Sequence, residues 1–310
     1  MPIKERSYVV TGESEDLNID SGNITDTDKP SPISETAIIP AYGRSLSDIP
    51  YAFEAYASLQ VLAPDVVAKV ERQGLLTAEL APQFEAYYKI VQRLLEESGV
   101  DQVLELASGY TMRGLDIASQ SPKTYVELDL PDVMQQKQNL IRHMGVSAPA
   151  NLHLVSGDVT DDADMERALR HLDPAKPVAI INEGLMRYLD FPGKTKLAKT
   201  IHGVLERQGG VWINPDISLM QGVAQEDEIA TNFSTSLSAL SGVNTTGNLF
   251  SSTNHATKFF QGLGFSVEPH GLMEVSNRLT SPQKAGISKE AVDKVCKPLV
   301  AFVMRPSVKK

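Results

Sequence analysis

A doubly wound α/β sheet with mostly parallel strands is the fold class this sequence predicts, on three observations. Short apolar runs alternate with helical periods from Val103 onward. The first run, Val103, Leu104 and Leu106, leads into Ala107, Ser108 and Gly109, whose small side chains let a ligand approach the backbone, and then into a helix. The next run ends in acids, Glu127 and Asp129, about 20 residues past that turn, the separation of a carboxylate that accepts ribose hydroxyls at the carboxyl edge of such a sheet. Taken alone, a strand cap with solvent-facing acids also accounts for these residues.

The elements follow in order. Residues 1–33 are rich in Ser, Asp, Thr and Gly and read as a flexible arm. Residues 34–98 carry apolar positions three and four apart, as in AIIPAYGRSLSDIPYAFEAYASLQVL and FEAYYKIVQRLLEES, and predict a helical cap over the carboxyl edge of the sheet. The sheet domain spans 99–310. Pro131 opens a helix to His143, because proline suits a first turn where no amide needs a partner. A strand in NLHLVSGDV ends in Gly157 and Asp158, and a helix in DDADMERALRHL follows. PVAIINEGLMRYL is a strand leaving through Asn182 and Glu183, TKLAKTIHGVLERQ a helix, and GGVWINPDI a strand in which Trp212 packs in the core. The polar stretch 218–253 is too long for a tight connection and reads as a lid or substrate loop, with surface padding the plain alternative. GFSVEPHGL and LVAFVMRP supply two closing strands, which pair most easily as an antiparallel hairpin.

Composition bounds the function. The chain has 310 residues, 42% hydrophobic and 22% charged, enough for one large domain or for a domain plus a sizeable appendage. A net charge of -10 without a basic run beyond Lys309 and Lys310 argues against nucleic acid, whose phosphates need clustered cations. No apolar run is long enough to cross a bilayer, and the start MPIKERSYVVTG has no apolar leader, so neither membrane nor export is expected. The single cysteine, Cys296, excludes an internal disulfide framework and carries no expected chemistry, which fits a cytoplasmic setting. The histidines lie scattered at 143, 153, 171, 202, 255 and 270, with no metal-ligand spacing, so no metal is expected.

The segments VLELASGYTMRG, YVELDLPDVMQQK, SGDV and INEGLMRYL, in that order and spacing, resemble the leucine carboxyl methyltransferase family, which includes polyketide O-methyltransferases; ISETAIIPAYGRSLSDIPYA is similar to that family's cap. The resemblance implies a class I, Rossmann-like, seven-stranded sheet and an S-adenosylmethionine-dependent O-methyltransferase. Its acceptor would be a carboxylate or hydroxyl of a small molecule, or a protein carboxyl terminus. Carried over by position, it puts Glu105, Ala107, Gly109 and Arg113 at the cofactor turn, Asp129 on the ribose, Asp158 and the Val159 backbone on the adenine, and Glu183 beneath the methionine portion. The chemistry agrees, since hydroxyl, amine and ammonium donors match carboxylate acceptors. Arg187 and Tyr188 follow a strand end where an acceptor pocket opens, though a surface arginine and a half-buried tyrosine explain them as simply.

The turn departs from the family. Ala107 stands where the first glycine is usual, and Tyr110, Thr111 and Met112 replace the run that begins with Asp. Where the family's cap supplies an arginine to the cofactor carboxylate, this chain has Tyr87, Tyr88 and Lys89, so either Lys89 substitutes or the carboxylate is held differently. Methyl transfer from a sulfonium needs alignment and exclusion of water more than acid or base. A carboxylate acceptor, with Arg113, Arg187 or Lys194 to orient it, needs no base; for a phenol or alcohol, His143, His202 and His255 are the candidates. A non-catalytic protein that keeps the fold is the alternative reading, ahead of a nicotinamide-dependent oxidoreductase, whose glycine fingerprint is missing.

Overall fold

The computed structural model describes residues 19–21, 31–217, 219 and 228–307. Four parallel strands form the centre: β2 (Gln102–Leu106), β3 (Thr124–Asp129), β4 (Leu152–Ser156) and β5 (Val178–Asn182). With β1 (Ile19–Ser21), β6 (Gly210–Asn214), β7 (Phe265–Gly271) and β8 (Val300–Pro306), the sheet order is β1-β4-β3-β2-β5-β6-β8-β7. Strands β2 and β5 are buried at every position, as parallel strands covered on both faces must be.

Successive residues point to opposite faces, and the core divides accordingly. Val103, Tyr125, Ala179 and Ile181 belong to one apolar cluster, while Leu104, Leu106, Val126, Leu128 and Ile180 belong to the other. The first face is covered by α5 (Ala81–Ser98), α6 (Arg113–Gln120) and α7 (Pro131–His143), the second by α8 (Asp162–Leu169), α9 (Phe191–Gln208) and α11 (Thr253–Gly262). Asp161 and Asp190 cap α8 and α9 by accepting amide hydrogen bonds of their first turns. Trp212 is fully buried and donates its indole N–H to Asn182 Oδ1 at 2.6 Å.

The cap consists of α1 (Pro32–Glu35), α2 (Ile38–Ser45), α3 (Ala52–Leu62) and α4 (Pro64–Arg72). Helix α5, read from the sequence as part of the cap, packs with its Tyr87, Ile90, Val91 and Leu94 in the first core cluster and so covers the sheet. The closing strands β7 and β8 are antiparallel to each other, and β8 is antiparallel to β6, as the sequence suggested. They are not joined by a tight turn: a 3₁₀ segment (Leu272–Arg278), α12 (Ser281–Ala285) and α13 (Lys289–Cys296) intervene.

Two differences from the sequence reading stand out. The sheet has the expected seven strands plus β1, which pairs in parallel with β4 although it falls in the segment read as an arm. The unpaired amides and carbonyls of an edge strand are a template for such an addition. The rest of residues 1–30 lies outside the described residues. In the stretch 218–253, read as a lid or substrate loop, residues 218 and 220–227 are likewise not described, but 228–241 form a helix, α10 (Glu228–Ser241).

Candidate functional site

Because β4, β3, β2 and β5 run in parallel and in register, with Leu106 beside Leu128 and Asn182, and Asp129 beside Ser156, their carboxyl ends come out along one edge. A cavity of ≈ 290 Å³ lies there, under α1 and α2. Glu105, Ala107, Gly109, Asp129, Asp158, Val159, Glu183, Arg187 and Tyr188 all line it; Arg113 does not.

The turn after β2 is tight. Ala107 has φ 52° and Gly109 φ 53°, left-handed values that glycine adopts freely and alanine does not. Asp129, at the end of β3, accepts the Gly109 amide on Oδ2 at 2.6 Å and the Leu130 amide on Oδ1 at 2.7 Å. Burial is the larger influence on its carboxyl and pushes it up to about 6, against these amides. Glu127, two residues earlier, is not in the cavity. It lies behind the turn, 1% exposed, ion-paired to Lys137, and accepts from Ser108 Oγ at 3.1 Å.

Asp158, exposed beyond β4, takes the Thr160 amide and hydroxyl on Oδ1, each at 2.7 Å, which fixes its carboxylate at the cavity rim. Val159 beside it is buried.

Glu183 is the hub of a buried charge network. Its Oε1 pairs with Arg44 Nη1 and its Oε2 with Arg113 Nη2, each at 2.8 Å. Arg113 also pairs with Glu105, whose Oε2 accepts the Tyr125 hydroxyl at 2.6 Å, and its guanidinium lies 4.6 Å from the Tyr88 ring centroid. Two guanidinium groups thus face two carboxylates, and the low exposure of all four makes each partner necessary for the others. Arg113, expected at the cofactor turn, stands behind it and aims Glu105 and Glu183. Arg44 was not singled out from the sequence, although it closes the apolar run IIPAYGR of a helix similar to the family's cap; it is 5% exposed and lines the cavity. Burial lowers its pKa, with Glu183 pulling the other way.

Lys89 is not the substitute cation. Its ammonium pairs with Asp48 Oδ1 and Glu85 Oε1, both at 2.7 Å, away from the cavity lining.

The cavity lining also includes Arg187 and Asp216, both close enough to act on Tyr87, together with Phe84, Phe233 and Leu237. The last two come from α10. The Tyr188 hydroxyl donates to Thr36 Oγ1 at 2.9 Å and so ties the segment after β5 to the cap. Lys194, buried against Phe191, donates to the Leu189 carbonyl and braces the same segment; burial pushes its ammonium down to about 8. None of the three candidate histidines lines the cavity: His143 bonds Ser58, His202 faces the Gly264 carbonyl, and His255 bonds Ser251. Among the described residues no group of three or more His, Cys, Asp or Glu side chains is placed to hold a metal, and no helix is long and apolar enough to cross a membrane.

Known proteins resemble this chain in part of its sequence and in its fold. The leucine carboxyl methyltransferase family model matches residues 54–202. A provisionally named S-adenosyl-L-methionine-dependent methyltransferase of Mycobacterium sp. (strain JLS) is 34% identical over 104 residues, 34% of this chain and 35% of the relative. One of Saccharopolyspora erythraea is 27% identical over 169 residues, 52% and 57% of the two chains. The chain therefore spans between about a third and somewhat over half of the length of these relatives. Among solved structures, a DUF574 family protein from Streptomyces avermitilis superposes with TM-score 0.56 at 18% identity, covering 87% of this chain and 97% of that one. A provisionally named methyltransferase from Thermobifida fusca gives 0.56 at 14% identity, covering 91% and 97%; both likenesses are of fold. Residues 54–202, which hold the turn, Asp129, Asp158 and Glu183, thus carry the leucine carboxyl methyltransferase pattern.

Proposed function

We propose that this protein is an S-adenosylmethionine-dependent O-methyltransferase whose acceptor is a carboxylate on a small, largely apolar molecule. The observation that carries the cofactor reading is the placement of Asp129, Asp158 and Glu183 at or just past the ends of β3, β4 and β5 around one cavity, with Arg44 paired to Glu183. The donor set of the cofactor fits them. The ribose diol suits Asp129, the adenine amine suits Asp158, the ammonium suits Glu183, and the carboxylate suits the Arg44 guanidinium. Ala107 and Gly109 leave the backbone open to close approach.

When bound, the cofactor supplies a methyl group already activated on a sulfonium. What remains for the chain is alignment. Arg187 in the cavity lining offers a planar, permanently charged fork to a carboxylate. Phe84, Phe233 and Leu237 line the same cavity and would help keep water from the reacting atoms. A carboxylate, with a free pKa of about 4, is ionised at neutral pH and needs no base, which agrees with a cavity that no histidine lines among the described residues.

The test is calorimetric titration with S-adenosylhomocysteine and with NADH. Incubation with methyl-labelled S-adenosylmethionine and matched panels of aryl and alkyl carboxylic acids, phenols and alcohols follows. Micromolar binding of the first ligand alone and a label released by mild alkali, as from a methyl ester, are expected. No binding of S-adenosylhomocysteine supports a non-catalytic protein of this fold, and an alkali-stable label on phenols overturns the carboxylate assignment.

A further inference from the structure

The turn after β2 adopts a conformation suited to glycine, yet its first small residue is Ala107, with φ 52°. A left-handed alanine is strained, because its Cβ crowds the backbone, so something must hold it. Its amide donates to the Leu128 carbonyl at 2.8 Å, which fixes the near side. The far side is held by an ion pair that the methyl-transfer reading does not use. Lys137, 1% exposed on α7, pairs with Glu127, and both reach Ser108, the residue after Ala107: Ser108 Oγ receives the Lys137 ammonium at 3.0 Å and donates to Glu127 Oε2 at 3.1 Å. Glu127 is itself wedged from behind. A Cβ on Gly114 of α6 would overlap Glu127 Oε1, so the helix backbone closes off its retreat.

We propose that Lys137 and Glu127 are positioning residues that, through Ser108, clamp the cofactor turn in its left-handed form and so let this chain dispense with the turn's first glycine. The inference rests on the cofactor reading above for its binding readout, but the clamp itself is a property of the free protein. A pair this deeply buried is costly to assemble and is retained where it fixes one geometry. Here that geometry sets Ser108 and Gly109 against the cavity, with the Gly109 amide on Asp129.

The experiment is a double-mutant cycle between Ser108→Ala or Lys137→Met and Ala107→Gly, read by S-adenosylhomocysteine affinity and by the Tm of the free protein. In the wild-type background each clamp variant is expected to weaken binding about tenfold, equivalent to roughly 1.4 kcal/mol. In the Ala107→Gly background the loss shrinks to about twofold, because glycine holds the turn unaided, and the fall in Tm shrinks with it. Equal losses in both backgrounds overturn the clamp and leave Ser108 and Lys137 as ordinary packing. Lys137→Met strands a buried carboxylate; should it not fold, Ser108→Ala, which leaves the ion pair intact, decides alone. If the wild-type protein binds no S-adenosylhomocysteine, the cofactor reading falls, while the Tm cycle still upholds or overturns the clamp.

Discussion

Asp129 should make cofactor binding depend on pH. Burial holds its carboxyl at about 6 in the free protein, against an ordinary 3.8. The folded chain therefore keeps this proton more tightly than the unfolded chain. The group favours folding below about pH 4, and that contribution is lost as the pH rises through about 6. The ribose hydroxyls are donors and require the ionised form. At pH 5 only about a tenth of the sites are ionised, against nearly all at pH 7.5, so affinity for S-adenosylhomocysteine should rise about tenfold between the two. Replacing Asp129 by Asn removes charge-assisted bonds worth roughly 2 kcal/mol, about thirtyfold in affinity at pH 7.5. It should also flatten the profile. The assay is calorimetry from pH 5 to 8 on both proteins, with circular dichroism at each pH to verify the fold. An affinity that stays level in the wild type, or an equal slope in the Asp129→Asn variant, refutes the assignment of Asp129 to the ribose.

Three further outcomes follow from the geometry. Arg44→Met should weaken S-adenosylhomocysteine binding by about 2 kcal/mol but leave adenosine, which lacks the carboxylate, nearly unchanged; equal losses for both ligands would place Arg44 in the scaffold only. Asp158→Ala, at an exposed rim position, should leave the Tm unaltered within error while lowering affinity about tenfold and removing any preference for adenine over hypoxanthine, checked with the inosine analogue. Gly114→Ala should destabilise the protein by roughly 2 kcal/mol in urea unfolding, because the added methyl overlaps Glu127 Oε1 and lies 2.8 Å from the Tyr125 ring.

What the sequence made legible was whatever is decided within one element. The helix Pro131–His143 forms over the residues that its proline and apolar period mark, and the strand ends at Asp129, Asp158 and Glu183 all reach the cavity. Helix α10 escaped notice because its serines and threonines masked an apolar spacing, Ile229, Phe233, Leu237 and Leu240, that was there to be counted. Helices α12 and α13 were missed for a similar reason: they are short, with only Val292 and Cys296 buried in the second.

The charges resisted reading because a charged residue's role depends on its partner, and the partner is remote. Arg44 and Glu183 are 139 residues apart, and Glu85, which holds Lys89 away from the cavity, also accepts the Thr280 amide from 195 residues onward. Glu127 and Asp129 differ by two positions and share a strand face, yet one supports the turn from behind and the other faces the cavity. Both belong to β3, but Asp129 is its last residue, where the chain leaves the sheet, and its carboxylate is fixed by the Gly109 and Leu130 amides. A buried cation such as Lys137 close by could have sorted the two acids from sequence alone. Ten residues past Glu127 and six past Pro131, it falls on the face of α7 that carries the buried Val133 and Met134, where an unpaired ammonium is not tolerated. It had to claim one carboxylate of β3, and the acid deeper in the strand was the one within reach.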